Sequence, residues 1–317
     1  MSEQTPDLVA RAAARLRQGR LAQAATPASA PAEPAIGAPV ARPPVAANGA
    51  AAPAAPVEPH GEAPQSRTKT ITVDRGALAR FGASVGGTPR TRTSEEFRII
   101  KRQVVLGARP EPNLAKGERS GRLIMVTSTK PREGKTFTAL NLALSLASEQ
   151  DLRVLLVDLD VHRRSLSELF GVAGEAGWVD LLADNSVDVA DVLLRTNIQN
   201  LTLMPVGHAV TNVPELLSSK RMSALLNEVA RRYSDRFVIF DAPPCLASSE
   251  PSILAGLVGQ TVFVVEAHKT EREEIEAALR LISGCSNISL LLNKSDTYNI
   301  DEFGSYSKYY AHKDQPS

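Results

Sequence analysis

The stretch from Gly121 to Ala147, GRLIMVTSTKPREGKTFTALNLALSLA, constrains the fold more than any other part of the chain. Its first apolar run, Leu123-Ile124-Met125-Val126, is continuous rather than alternating. That is the pattern of a strand buried on both faces of a parallel sheet. Leu140, Leu142, Leu144 and Leu146, set among Ala and Asn, then read as a helix that starts at Thr136. A strand that passes through a short loop into a helix gathers backbone N–H groups and the positive helix end around an anion. In that setting Lys135 reaches the β- and γ-phosphates of a nucleotide and the Thr136 hydroxyl ligates Mg²⁺. Gly134 allows close approach of the backbone. Thr129 stands where the usual pattern has its first glycine, so the loop is a variant. The expected nucleotide contacts are Thr129, Lys130, Pro131, Arg132, Glu133, Gly134, Lys135, Thr136 and Phe137.

From Leu123 onward, β-branched runs alternate with helical patterns, which predicts a three-layer α/β P-loop fold with a mostly parallel central sheet. Strands are expected at Leu123–Thr127, Val154–Asp158, Leu201–Pro205, Phe237–Phe240, Thr261–Val265 and Ser289–Leu292. Helices are expected at Thr136–Glu149, Leu166–Phe170, Val179–Ala183, Pro214–Tyr233, Ser249–Val258 and Thr270–Ser283. Right-handed crossovers then place a ligand at the carboxyl edge of the strands.

The region before this core has a different character. Residues 1–66 are read as a disordered Ala/Pro-rich arm, with a short helical pattern over Pro6–Ala22. Between Leu21 and Ser66 the large aliphatics are only Leu21, Ile36, Val40, Val45 and Val57, too few to offset the entropy of ordering the segment. Order is expected to begin near Ile71, with a short helix over Ala77–Phe81 and a turn at Gly86-Gly87. A basic helix follows over 94–106, with Ser94 as its N-cap and Phe97, Ile100, Val104 and Val105 on its apolar side. Residues 67–122 hold 13 Lys and Arg against 5 Asp and Glu, a docking surface or simply a solvated face. The whole chain of 317 residues carries a net charge of only +1, which argues against bulk nucleic-acid binding. Cys245 and Cys285 lack disulfide or metal-ligand spacing and fit a reducing cytoplasm. No apolar run reaches the ~20 residues that cross a bilayer.

Two further stretches carry chemistry. The second strand ends Val157-Asp158-Leu159-Asp160, two carboxylates leaving a strand tip toward the phosphates. One can hold the metal shell while the other accepts a proton from a nucleophile. The fourth strand ends Phe240-Asp241-Ala242-Pro243-Pro244, with Asp241 placed to orient Mg²⁺. Together with Lys135 these are the candidate catalytic residues. Asn293-Lys294-Ser295-Asp296 matches a guanine-reading pattern, yet Asn293 can equally serve adenine, and ATP is the expected nucleotide.

These motifs resemble the bacterial tyrosine kinases (BY-kinases), cytoplasmic kinase modules of polysaccharide chain-length regulation, over Ile71 to the C-terminus. The resemblance assigns Lys135 and Thr136 to Walker A, Asp158 and Asp160 to Walker A′, and Asp241 to Walker B. It implies that Asp158 is the base toward a tyrosine hydroxyl, and that Asp160 joins Thr136 and Asp241 around Mg²⁺. Glu95, Arg98 and Lys101 fall on the family's E-x-x-R-x-x-R helix, which packs against a neighbouring subunit in rings. Asn212–Leu217 also looks like the family's stretch before its long helix. Three positions depart from the pattern: Lys101 replaces an arginine and loses its fork, His162 follows the aspartate pair, and Lys130 sits where division-site and partitioning ATPases bridge a dimer.

The last segment, 301–317, is read as a flexible tail bearing Tyr306, Tyr309 and Tyr310, the expected phosphoacceptors. The resulting expectation is a tyrosine autokinase acting in trans within a homo-oligomer. It would serve extracellular polysaccharide export, be recruited to the inner membrane face by a separate transmembrane activator, and be reversed by a tyrosine phosphatase. The rivals are a non-kinase ATPase switch, a GTP-binding regulator, and a binding module with a structural nucleotide.

Overall fold

The computed structural model describes residues 68–85, 91–108, 119–208 and 212–295. The Ala/Pro arm, the turn at Gly86-Gly87, Asp296 and the tyrosines Tyr306, Tyr309 and Tyr310 lie outside the described residues.

The strands are β1 (Lys69–Ile71), β2 (Leu123–Ser128), β3 (Arg153–Asp158), β4 (Leu194–Thr196), β5 (Leu201–Met204), β6 (Arg236–Asp241), β7 (Gln260–Glu266) and β8 (Ile288–Asn293). They form one sheet in the order β1-β4-β5-β3-β6-β2-β7-β8, in which only the β4–β5 pair is antiparallel. The helices are α1 (Arg75–Arg80), α2 (Arg92–Gly107), α3 (Lys135–Ala147), α4 (Ser165–Leu169), α5 (Trp178–Ala183), α6 (Val189–Val192), α7 (Val213–Leu217), α8 (Lys220–Arg232), α9 (Glu250–Ala255) and α10 (Arg272–Leu281).

The continuous apolar runs have their expected cause. Every residue of β2 is buried, and successive side chains alternate between two cores because the strand period is two. Leu123 and Met125 enter the core on one face, with Trp178, Leu226 and Phe263, and Ile124 and Val126 enter the other, with Leu140, Leu144 and Val104. α3 is apolar nearly all round, so all of its residues except Phe137 and Ser145 are buried between the sheet and α2. α2 is narrower in its commitment. Phe97 and Val104 are buried, Phe97 meets the Phe137 ring edge-on at 5.9 Å between centroids, and Ile99 and Leu106 remain 67% and 69% exposed.

Two expectations need correction, and two strands were not foreseen. Ser94 does not cap α2. Thr91 takes that position in extended conformation, its hydroxyl accepts from the Ser94 N–H at 3.1 Å, and the Ser94 hydroxyl accepts from the Thr91 N–H at 3.0 Å. This reciprocal pair satisfies two orphan donors at once, which moves the start of the helix three residues upstream. The helix expected over Pro214–Tyr233 is two helices, because Ser219 leaves the helical region (φ −71°, ψ 156°) and caps α8 through the Met222 N–H. The three-residue strands β1 and β4 carry too few side chains to show a period, and only the closure of the sheet edge reveals them.

Candidate active site

The three central strands deliver the site. In register, Asp158 lies opposite Asp241 on the adjacent strand, and Asp241 lies opposite Val126, just before the phosphate loop. Lys135, first residue of α3, therefore starts its helix directly between two carboxylate-bearing strand ends. Its ammonium lies 2.6 Å from Asp160 Oδ2 and 3.9 Å from Asp241 Oδ1, with all three side chains buried. Burial opposes the Lys135 charge, but the Asp241 and Asp160 carboxylates outweigh it and hold the group above the usual ammonium range.

The three aspartates sit in different environments. Asp158 is fully buried, and its Oδ2 accepts from the Ser167 N–H at 2.8 Å and from the Ser167 hydroxyl at 2.7 Å. Its Oδ1 accepts from the Asp160 N–H at 3.2 Å. Burial pushes Asp158 upward, and the Ser167 bonds oppose that push. Asp160 turns its Oδ1 back to the Arg163 N–H at 3.1 Å and its Oδ2 to Lys135. Asp241 is the least satisfied. Both its carboxylate oxygens are buried and lack a well-formed hydrogen bond among the described residues, and burial raises its pKa to about 7, against the pull of Lys135 and of the Thr136 hydroxyl.

The phosphate loop is braced from outside. Arg132 and Gly134 adopt positive φ of 72° and 101°. A Cβ on Gly134 would also stand 2.0 Å from Asn293 Nδ2, so a side chain there would strain the backbone and displace the Asn293 amide. Glu133 is buried inside the loop; it accepts from the Lys130 N–H at 2.8 Å and from the Thr270 hydroxyl at 2.5 Å. The end of β8 completes the clamp, with Asn293 Nδ2 donating to the Glu133 carbonyl at 2.8 Å and Lys294 Nζ to that of Arg132 at 2.7 Å. Beyond Asp241, the Cys245 N–H donates to the Ser128 carbonyl at 2.8 Å. Burial raises the Cys245 thiol to about 11, which leaves it a packing residue rather than a nucleophile.

The remaining candidates are spread along the domain. Thr136 lies one residue beyond Lys135 at the start of α3, and Thr129, Lys130, Pro131 and Arg132 complete the loop. Lys130 pairs with Glu274 on α10, which raises the lysine and lowers the glutamate. On α2, Glu95 pairs with Arg98 at 3.0 Å, while Lys101, its side chain only 12% exposed, pairs with Glu149 just past the end of α3. Lys101 thus ties two helices of the same chain. Ser167, Thr270 and Glu274 had no signal in the sequence, since a single serine or threonine far from the motifs in chain position announces no contact. Glu250 was likewise silent; it is buried at the start of α9, bonded to the Ser248 hydroxyl, with His162 Nε2 at 3.9 Å.

The residues fit Mg²⁺ and a triphosphate. A buried carboxylate short of hydrogen bonds, a neighbouring threonine hydroxyl and a buried ammonium at a helix N-terminus are the oxygen ligands and charge that such a pair requires. Residues 121–283 match the family described as AAA domain. The tyrosine-protein kinase YwqD of Bacillus subtilis (strain 168) is 30% identical over 243 residues, covering 76% of this chain and 96% of that protein. The tyrosine-protein kinase Wzc of Salmonella typhimurium is 31% identical over 177 residues, 56% of this chain but 24% of that one. Among solved structures, the VpsO kinase domain superposes with a TM-score of 0.50 at 28% identity, covering 65% of this chain and 100% of that domain. With the loop, the aspartate-tipped strands and a relative matched along nearly its full length, the chain belongs to the bacterial tyrosine kinase family.

Proposed function

We propose that this protein is an ATP- and Mg²⁺-dependent tyrosine autokinase that phosphorylates Tyr306, Tyr309 and Tyr310 in trans within a homo-oligomer. The observation that carries the reading is the buried set of Lys135, Asp160 and Asp241, with the Asp241 carboxylate beside Thr136 short of well-formed hydrogen bonds. Lys135 holds the β- and γ-phosphates and balances their charge. Thr136, Asp160 and Asp241 would supply oxygens to Mg²⁺, which would neutralise charge building on the transferred group. Asp158 accepts the tyrosine proton.

Asn293 is assigned to the adenine base. Its Nδ2 gives one hydrogen to the Glu133 carbonyl, which leaves its oxygen as an acceptor for the exocyclic amine of adenine and its second N–H as a donor.

Around this core we place an oligomer using Glu95 and Arg98, a separate transmembrane activator, and a phosphatase that resets the tail. No helix among the described residues is long and apolar enough to cross a membrane. Peripheral recruitment and a role in extracellular polysaccharide export follow from the same reading.

Mass-spectrometric mapping of the protein from its own cells tests the proposal. Phosphate is expected on the three tail tyrosines and absent in Lys135→Met present at equal abundance. Phosphotyrosine in neither version would overturn it. Because Lys130 is paired within its own chain, Lys130→Ala should keep labelling within about threefold, the scale of an exposed ion pair. Loss of all activity would favour an ATPase switch instead, and suppression of labelling by tenfold excess GTP would count against the assignment of Asn293.

A further inference from the structure

Ser167 is a buried residue nine positions beyond Asp158, on the first turns of α4. The intervening loop folds back on itself, with the Arg164 N–H donating to the Asp160 carbonyl at 2.7 Å and Arg164 held at φ 49°. That reversal sets the start of α4 directly over the end of β3. The Ser167 hydroxyl donates to Asp158 Oδ2 at 2.7 Å and accepts from the Val206 N–H, just past β5, at 3.2 Å. With its hydrogen and a lone pair both assigned, the hydroxyl cannot rotate without breaking a buried bond.

The backbone N–H of Ser167 adds a second donor to the same Asp158 oxygen at 2.8 Å. Oδ2 is thereby occupied by two close donors, whereas Oδ1 takes only the longer contact from the Asp160 N–H at 3.2 Å. We infer that Ser167 is a positioning residue for phosphoryl transfer, fixing the Asp158 carboxylate so that Oδ1 is the oxygen presented to the acceptor hydroxyl. This rests on the reading of Asp158 as the base. It also gives β5 a part in the reaction, since Val206 anchors the serine that anchors the aspartate.

Full-length protein from its own cells, compared as wild type, Ser167→Ala, Ser167→Thr, Asp158→Asn and the double Asp158→Asn/Ser167→Ala, tests this. Misplacing a reacting group costs about tenfold to a hundredfold in rate. Ser167→Ala should therefore lower kcat for tail phosphorylation by about tenfold, with the KM for ATP unchanged within about twofold. Ser167→Thr should restore much of the rate. In the Asp158→Asn background the serine change should add nothing, because Ser167 acts through Asp158. A residue that only holds α4 in place would lower thermal stability and leave kcat alone, and that result overturns the inference. So does a further rate loss in the double variant. Full activity in Asp158→Asn would instead sink the base reading itself, which separates the two failures.

Discussion

Lys135→Met should abolish phosphotransfer, by about a thousandfold or more, and also destabilise the nucleotide-free protein by roughly 3–5 kcal/mol. On the proposed reading, the catalytic loss follows from removing the buried ammonium that would face the phosphates. The stability loss has a separate cause. Asp158, Asp160 and Asp241 are all buried, and Lys135 is the ammonium in direct contact with two of them. Removing one partner of a buried ion pair leaves the other charge without compensation. Adding Asp241→Asn to Lys135→Met should recover a large part of the stability and none of the activity. Chemical denaturation of the single and double variants checks this. Equal stability of wild type and Lys135→Met would show that the carboxylates find other compensation.

Without nucleotide, stability should fall as pH rises from about 4 to above 7, contrary to the usual behaviour of a paired carboxylate. Asp241 has a folded pKa of about 7, raised first by burial. In that window the folded state holds a proton that the unfolded state has released. The contribution is thus fully present below the unfolded pKa and is lost through the folded one, at about 1.4 kcal/mol per pH unit at most. The melting temperature should be higher near pH 5.5 than near pH 8.5, Asp241→Asn should flatten that slope, and saturating Mg²⁺ with ATP should reduce it by favouring the ionised form. An unchanged slope in Asp241→Asn would assign the titration to another group.

Glu133, Thr270, Asn293 and Lys294 join the phosphate loop to the segment after β7 and to the end of β8.

Much of this was legible in the chain itself. The run Leu123–Val126 showed a strand buried on both faces because continuous apolarity has no other economical explanation next to a glycine-containing loop and a helix. Asp158 and Asp241 were readable because each ends a strand, Asp160 because it follows β3 by two residues, and Lys135 and Thr136 because they open the helix after the loop that leaves β2, all at the edge where the α/β fold gathers its ligand contacts. What chain position alone left open was contact between residues distant in sequence. Nothing near Ser167 marks it as the partner of Asp158, nothing in Thr270 points to Glu133, and Lys130 and Glu274 lie on different elements. The strands β1 and β4 are too short for a period, and the break at Ser219 depends on a cap that competes with a continuous helical pattern. The sequence by itself determined six of the eight strands, the loop and the residues at the carboxyl edge, because local periodicity and strand-end chemistry are local properties. Only the tertiary structure decided which carboxylate is satisfied, which is paired and which is left to meet a cation, because burial and hydrogen-bond partners are set by where the chain returns.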